Sequence, residues 1–245
     1  LQLGDELIGI DEPVSPRQKM RKSVVEDIQS TTTDAYMIVL SNGECVTASR
    51  DHRWLGVKYN SYSGSRRHWF KTSELTIGDT LKYLCKPWTT DRSYEAGYLA
   101  GVYDGEGWVS KTPNHGVGFR QNSGVVLDTV NELMTSLGYH ISHYDVETWE
   151  AEALMITRMY DCLNFLGSIR PLRLLEKSAF VWEGREPKGG VTGAYDVEVV
   201  DIISVREQSM IHLQTSTQTF VAEGLFSHNS TTMSSTGGIL GKYTK

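Results

Sequence analysis

Three consecutive residues near the end of the chain, His228, Asn229 and Ser230, have types and an order that can break a peptide bond. The side-chain amide nitrogen of Asn229 can attack its own main-chain carbonyl, form a succinimide and release the residue that follows. His228 beside it can polarise that carbonyl or protonate the leaving group. Ser230 supplies an oxygen nucleophile for acyl transfer. Most such tripeptides are surface loop, so the reading depends on the elements that would hold them.

Those elements read as β, then α/β, then β. Residues 1–90 carry short alternating runs such as Ala35–Leu40, and Asn42-Gly43 before Glu44–Thr47 predicts a hairpin. Ser15–Lys22 and Ser61–Arg67 are polar and read as loops. Helical periodicity predicts helices over Asp91–Glu106, Val125–Leu137 and Met159–Leu166, the last two closed by Gly138 and Gly167. Strand-like pieces lie at Gly116–Asn122, Tyr139–His143 and Leu154–Thr157. After Pro187–Gly190 come Tyr195–Val205, Met210–Thr215 and Thr219–Val221, again β in texture, and Ser230–Lys245 reads as a tail. A β domain interrupted by an inserted module fits this order better than one α+β domain.

Five stretches, lying along the chain in the order the family has them, resemble inteins. Thr219–Asn229 resembles the apolar strand before the C-terminal splice junction, and Ile211–Thr217 the strand before that, with His212 where the family commonly has Asp. Gly43–Trp54 resembles the motif whose histidine activates the N-terminal scissile amide. His52 falls on that histidine and Ser49 on a position usually held by Thr. Leu1–Ile8 looks like an intein start beginning at its second residue, and Trp69–Asp79 like the following strand and turn. The resemblance implies a mainly β, horseshoe-like splicing (Hint) domain over 1–88 and 190–229, with 230–245 a flank of the host protein (an extein). It implies that His52 acts at the N-terminal junction with support from Ser49 and Asp51, and that His212, His228, Asn229 and Ser230 serve the catalytic steps. Common inteins begin with Cys or Ser, whereas this sequence begins with Leu1. The expectation is that the nucleophile belongs before Leu1. A variant class uses a tryptophan two positions after the histidine, which Trp54 would match, but His212 stands where its cysteine should be. No cofactor is expected for splicing, and the partners are the flanking segments of the same precursor.

Tyr98–Gly107 resembles the LAGLIDADG motif of homing endonucleases, within an α/β insert placed at 91–188. Gly97, Gly101 and Gly105 recur every fourth residue, on one helix face, where missing side chains let two helices approach. The resemblance implies that Glu106 emerges at the helix end as a ligand for Mg²⁺, joined by Asp104, a more structural acid, only if the insert is an active nuclease. One motif requires dimerisation through this helix for nuclease activity. Residues 91–190 hold nine Lys+Arg and fourteen Asp+Glu, and His143–Glu150 is acidic where a DNA-facing sheet should be basic. Phosphate contacts dominate DNA affinity, so DNA binding is disfavoured and the insert is expected to be degenerate or dimer-dependent. The alternative is an active site-specific endonuclease carried by the β domain.

Composition bounds the rest. The 245 residues carry a net charge of −6, of which 9 − 14 = −5 lies in residues 91–190. Cys45, Cys85 and Cys162 are scattered and suggest neither a disulfide framework nor a zinc site. No apolar run approaches a membrane span and no signal peptide is evident, so a cytoplasmic setting is the expectation. Ser230-Thr231-Thr232-Met233 would fit the end of a host nucleotide-binding loop, as in a phage terminase ATPase.

Overall fold

A computed structural model describes residues 1–60, 64–110, 116–145, 151–185, 196–229 and 239–240. The chain divides into two compact units. One takes Leu1–Pro87 and the described residues from Glu183 onward, and the other takes Trp88–Trp182.

The first unit is built on antiparallel strands: β1 (Glu6–Ile10), β2 (Met20–Leu40), β3 (Cys45–Ser49), β4 (Arg53–Asn60), β5 (Gly64–Lys71) and β6 (Thr80–Lys82) before the second unit. The second unit contributes α1 (Tyr94–Glu106), β7 (Gly107–Val109), β8 (Val117–Asn122), α2 (Val125–Ser136), β9 (Ile141–Asp145), β10 (Ala151–Ile156), α3 (Met159–Ser168) and α4 (Leu172–Ser178). The chain then returns to the first unit as β11 (Asp196–Thr215), β12 (Thr219–Ala222), β13 (Leu225–His228) and β14 (Ile239–Leu240).

Two long strands organise the first unit. β2 and β11 span 21 and 20 residues and pair with each other from Val25↔Thr215 to Leu40↔Val199, with bulges at three places. The strand path runs β1-β2-β3-β14-β11-β6-β4-β13-β12, with β5 on β4. Its two ends meet: the Thr219 hydroxyl on β12 donates to Ile10 O at 2.6 Å and accepts from Ile10 N at 2.9 Å, so a side chain substitutes for a ladder pair. Gly9 permits this approach, because a Cβ there would lie 2.6 Å from Thr217 Oγ1 and 2.7 Å from Thr219 O. Inside are Ile38, Leu40, Val46, Ala48, Trp54, Leu81, Val199, Leu213, Phe220 and Leu225. The predicted Asn42-Gly43 turn is present, with Gly43 at φ +84° and Asn42 Oδ1 accepting from Glu44 N.

The second unit is the small α/β assembly expected of an insert. Its sheet runs β7-β8-β10-β9. Ser93 caps α1 by accepting from Ala96 N, and Ala96, Leu99 and Tyr103 form the buried face of the helix. The Tyr103 ring packs at a tilt against Phe119 and Phe165, with ring centroids 5.4 and 4.6 Å away. α2 ends in a Schellman motif at Gly138 (φ +83°), as its sequence predicts: Tyr139 N donates to Met134 O and Gly138 N to Thr135 O.

Several expectations require correction. Ser15–Lys22 is not simply an exposed loop: Gln18 and Met20 are buried, and Met20 opens β2. Gly64–Arg67 belongs to β5, while 61–63 lie outside the described residues. Tyr195–Val205 and Met210–Thr215 are not two strands: from Asp196 they form one, β11. Gly167 does not end α3; it lies within the helix, where a Cβ would meet the Trp88 indole at 2.0 Å. The tail is not wholly outside the sheet, since Ile239 pairs with Ala48 and Ile211. The acidic stretch expected at His143–Glu150 is β9 as far as Asp145, and 146–150 lie outside the described residues. Among the described residues no helix is long and apolar enough to cross a membrane.

Candidate active site

β13 delivers the last described residues of the C-terminal motif. The Glu223-Gly224 turn between β12 and β13 has positive φ at both positions (47° and 82°), the backbone of a tight hairpin. Gly224 is confined as well as twisted, because a Cβ would lie 2.3 Å from Cys85 O. The hairpin register sets Thr219 opposite His228 and Phe220 opposite Ser227. Asn229 N then donates to Gln218 O at 2.8 Å, carrying the chain one residue past the strand.

The Asn229 side chain is buried and its amide is fixed from both ends. Oδ1 accepts from the Thr215 hydroxyl at 3.0 Å. Nδ2 donates to Thr215 O at 3.2 Å and to Gln214 Oε1 at 3.4 Å. These partners orient the nitrogen and the oxygen without ambiguity. The Thr215 hydroxyl also faces Thr219 O at 3.1 Å, which in turn accepts from Ser23 and Thr217 hydroxyls at 2.8 and 3.0 Å. A run of hydroxyls thus ties the Asn229 amide to the seam between β1 and β12.

His228 stands over the bond that this amide would break. Its Nδ1 lies 2.8 Å from the main-chain oxygen of Asn229. Its Nε2 lies 3.2 Å from Glu12 Oε1. The Trp69 ring meets the imidazole edge-on at 5.1 Å, and Trp69 Nε1 donates to Glu12 O at 3.1 Å.

His52 occupies the turn between β3 and β4. The turn is set by His52 N donating to Ser49 O and by Thr72 N donating to His52 O. The ring packs edge-on against Trp54 at 4.3 Å, and Trp54 Nε1 is anchored on the Thr72 hydroxyl at 3.0 Å. His52 is buried, and its Nε2 has no hydrogen-bond partner among the described residues. Burial, reinforced by His228 and then His212, pushes its pKa down to about 3, so the ring is neutral at ordinary pH. His212, half-buried on β11, is also held below its usual value by burial. The three histidines are therefore electrostatically coupled around His52.

The other predicted residues fall as follows. Ser49 is buried at the end of β3, opposite Ala35. The Asp51 carboxylate pairs with Lys71 Nζ at 3.5 Å. Ser230 lies outside the described residues. Glu12, Gln214 and Thr215 were not anticipated as partners of His228 and Asn229. A lone acid on a loop and polar residues at a strand end carry no motif, and only the tertiary pairing reveals them.

In the second unit Asp104 is a structural cap. Its two carboxylate oxygens accept from Leu172 N and Arg173 N, each at 2.9 Å, and so satisfy the start of α4. Arg173 answers by donating to the carbonyls of Tyr103, Asp104, Gly105 and Gly107 at the end of α1. With Asp104 engaged, only Glu106 of the two expected Mg²⁺ ligands is left, and the described residues contain no cluster of three metal-binding groups. Among the described residues of one chain, none joins Glu106 to complete a Mg²⁺ site. Nor do Gly97, Gly101 and Gly105 serve packing inside the described chain, since a Cβ at each would meet nothing within 4 Å.

Residues 93–170 match the LAGLIDADG-like domain family. No curated protein matches the chain. Among solved structures, the chain is similar to an Ssp DnaB mini-intein variant at 12% identity and a TM-score of 0.44, covering 96% of this chain and 81% of that one. A mutant of that variant gives 12% and 0.42, with 94% and 84% covered. The Mvu transcription factor IIB mini-intein gives 12% and 0.39, with 91% and 71% covered.

Proposed function

We propose that the chain is an intein whose first unit cleaves its C-terminal junction by cyclisation of Asn229, and that the second unit is a LAGLIDADG-like insert without nuclease activity as a single chain. The observation that carries this reading is the placing of Asn229: its amide nitrogen is oriented by Thr215 and Gln214 while His228 Nδ1 contacts the main-chain oxygen of the same residue.

The step follows from that arrangement. Nδ2 of Asn229 adds to its own carbonyl carbon, and negative charge develops on the oxygen facing His228. A donor already in place stabilises that charge without reorganisation. Collapse breaks the bond to residue 230. The succinimide nitrogen has lost one proton and the departing amine has gained one, so no external reactant is consumed. Every group belongs to one chain and is held at high effective concentration. Ser230 is proposed to take the upstream acyl group before this cleavage. His52, neutral and buried, is proposed to act at the N-terminal junction, where a ring nitrogen without a partner can exchange hydrogen bonds with a scissile amide. Ser49 shapes the turn that holds it.

The test uses a precursor with a Cys placed before Leu1 and flanking segments at both ends. Intact-mass spectrometry should find ligated flanks and an excised chain ending in a succinimide. Ligated flanks produced equally well by the Asn229→Ala precursor would sink the proposal. Incubating the chain with Mg²⁺ and DNA spanning its uninterrupted insertion site should leave the DNA intact, and cleavage there would revive the endonuclease reading.

A further inference from the structure

Both ring nitrogens of His228 face acceptors. Nδ1 meets the Asn229 carbonyl oxygen at 2.8 Å and Nε2 meets a Glu12 carboxylate oxygen at 3.2 Å. A neutral imidazole has one N–H and one lone pair. In either neutral form one of these contacts would set a lone pair against an acceptor. With Glu12 ionised, both become hydrogen bonds only in the doubly protonated ring.

We infer that Glu12 is a positioning residue for the junction: it holds His228 as an imidazolium whose Nδ1–H is aimed at the Asn229 carbonyl. This rests on the cyclisation reading above and adds to it the source of the positive charge.

The Glu12 segment is held in place. Asp11 ties the two sides of its loop together: its N donates to Lys19 O, its O accepts from Gln18 Nε2, and its carboxylate accepts from Lys19 N and from Arg21 Nε. Trp69 then fixes the Glu12 main chain and closes one edge of the imidazole. Other charged or titratable groups lie on the strands around His228. Arg53 is its cross-strand partner on β4, and His52 is neutral, with His212 coupled to it. Lys71, opposite Arg53 on β5, is paired with Asp51. Glu12 is thus the one carboxylate within hydrogen-bond reach of the ring among the described residues. It also divides labour between the histidines: the ring at the C-terminal junction is a donor of positive charge, and the ring at position 52 is a neutral acceptor or donor.

The experiment has two readouts on the flanked precursor. Nitrogen-15 shifts of the His228 ring are read in the Asn229→Ala background, which keeps the carbonyl and prevents cleavage. The pH profile of C-terminal cleavage is read in the parent. The expected results are imidazolium-type shifts near neutral pH that become neutral-type in Glu12→Gln. The alkaline limb of the cleavage profile moves down by about 1 pH unit, with about tenfold slower cleavage above it. Glu12→Asp restores part of both. A neutral ring in the parent, or a Glu12→Gln profile that superimposes on the parent, overturns the role of Glu12. That outcome leaves the cyclisation reading standing, which fails separately if Asn229→Ala cleaves at the parent rate.

Discussion

At the scale of single residues, the proposed site separates groups that are held from groups proposed to act. Thr215 is of the first kind, because its hydroxyl keeps the Asn229 oxygen turned away from the attack path. Thr215→Val keeps the shape and removes the donor. It should slow C-terminal cleavage by about tenfold, as loss of one orienting hydrogen bond of 1–2 kcal/mol would. Time-resolved gel densitometry reads this, and an unchanged rate would show that the amide needs no such partner. His52 gives a stability prediction. Its folded pKa of about 3 lies below the unfolded value of 6.5, so the unfolded chain takes up a proton first as pH falls. The stability linked to the neutral ring is complete above pH 6.5 and is lost as pH drops toward about 3, at up to about 1.4 kcal/mol per pH unit. Urea unfolding across that range should show the slope, and His52→Gln should reduce it. A variant with an undiminished slope would place the titration elsewhere.

At the scale of elements, the close approach of β1 to β12 is open to test by a single change. Gly9→Ala would drive a methyl into Thr217, Thr219 and Ser23. Forced overpacking of this kind costs about 1–3 kcal/mol, and it also disturbs the hydroxyl run that reaches Asn229. A lower urea midpoint together with slower cleavage is expected; unchanged stability would mean that the seam has slack. What the sequence revealed depended on where chemistry and periodicity coincide. The Asn42-Gly43 turn and the α2 cap at Gly138 are local signals, and both were legible. The long strands were not. Gln29–Asp34 is polar with no alternation, because that part of β2 buries little, so only its apolar end reads as a strand. Helix α4 was missed for another reason: it has seven residues, and its cap is Asp104, far away in sequence. Glu12 carried no signal at all, since its role exists only once the loop is brought to β13.

At the scale of the whole molecule, two compact units share one chain and the proposed splicing residues all belong to the first. Replacing Trp88–Trp182 by a short flexible linker should therefore preserve C-terminal cleavage within a few-fold. Conversely, Arg173→Ala removes a clamp on α1 and should lower the thermal stability of the second unit while sparing cleavage. The central claim remains the ring closure at Asn229, and one measurement addresses it most directly. Intact-mass analysis of the excised chain from the flanked precursor should show a C-terminus lighter by one water than the free acid, and Asn229→Ala should yield no such product. A fragment released only as the free acid from the first moment, or released unchanged from Asn229→Ala, would contradict it.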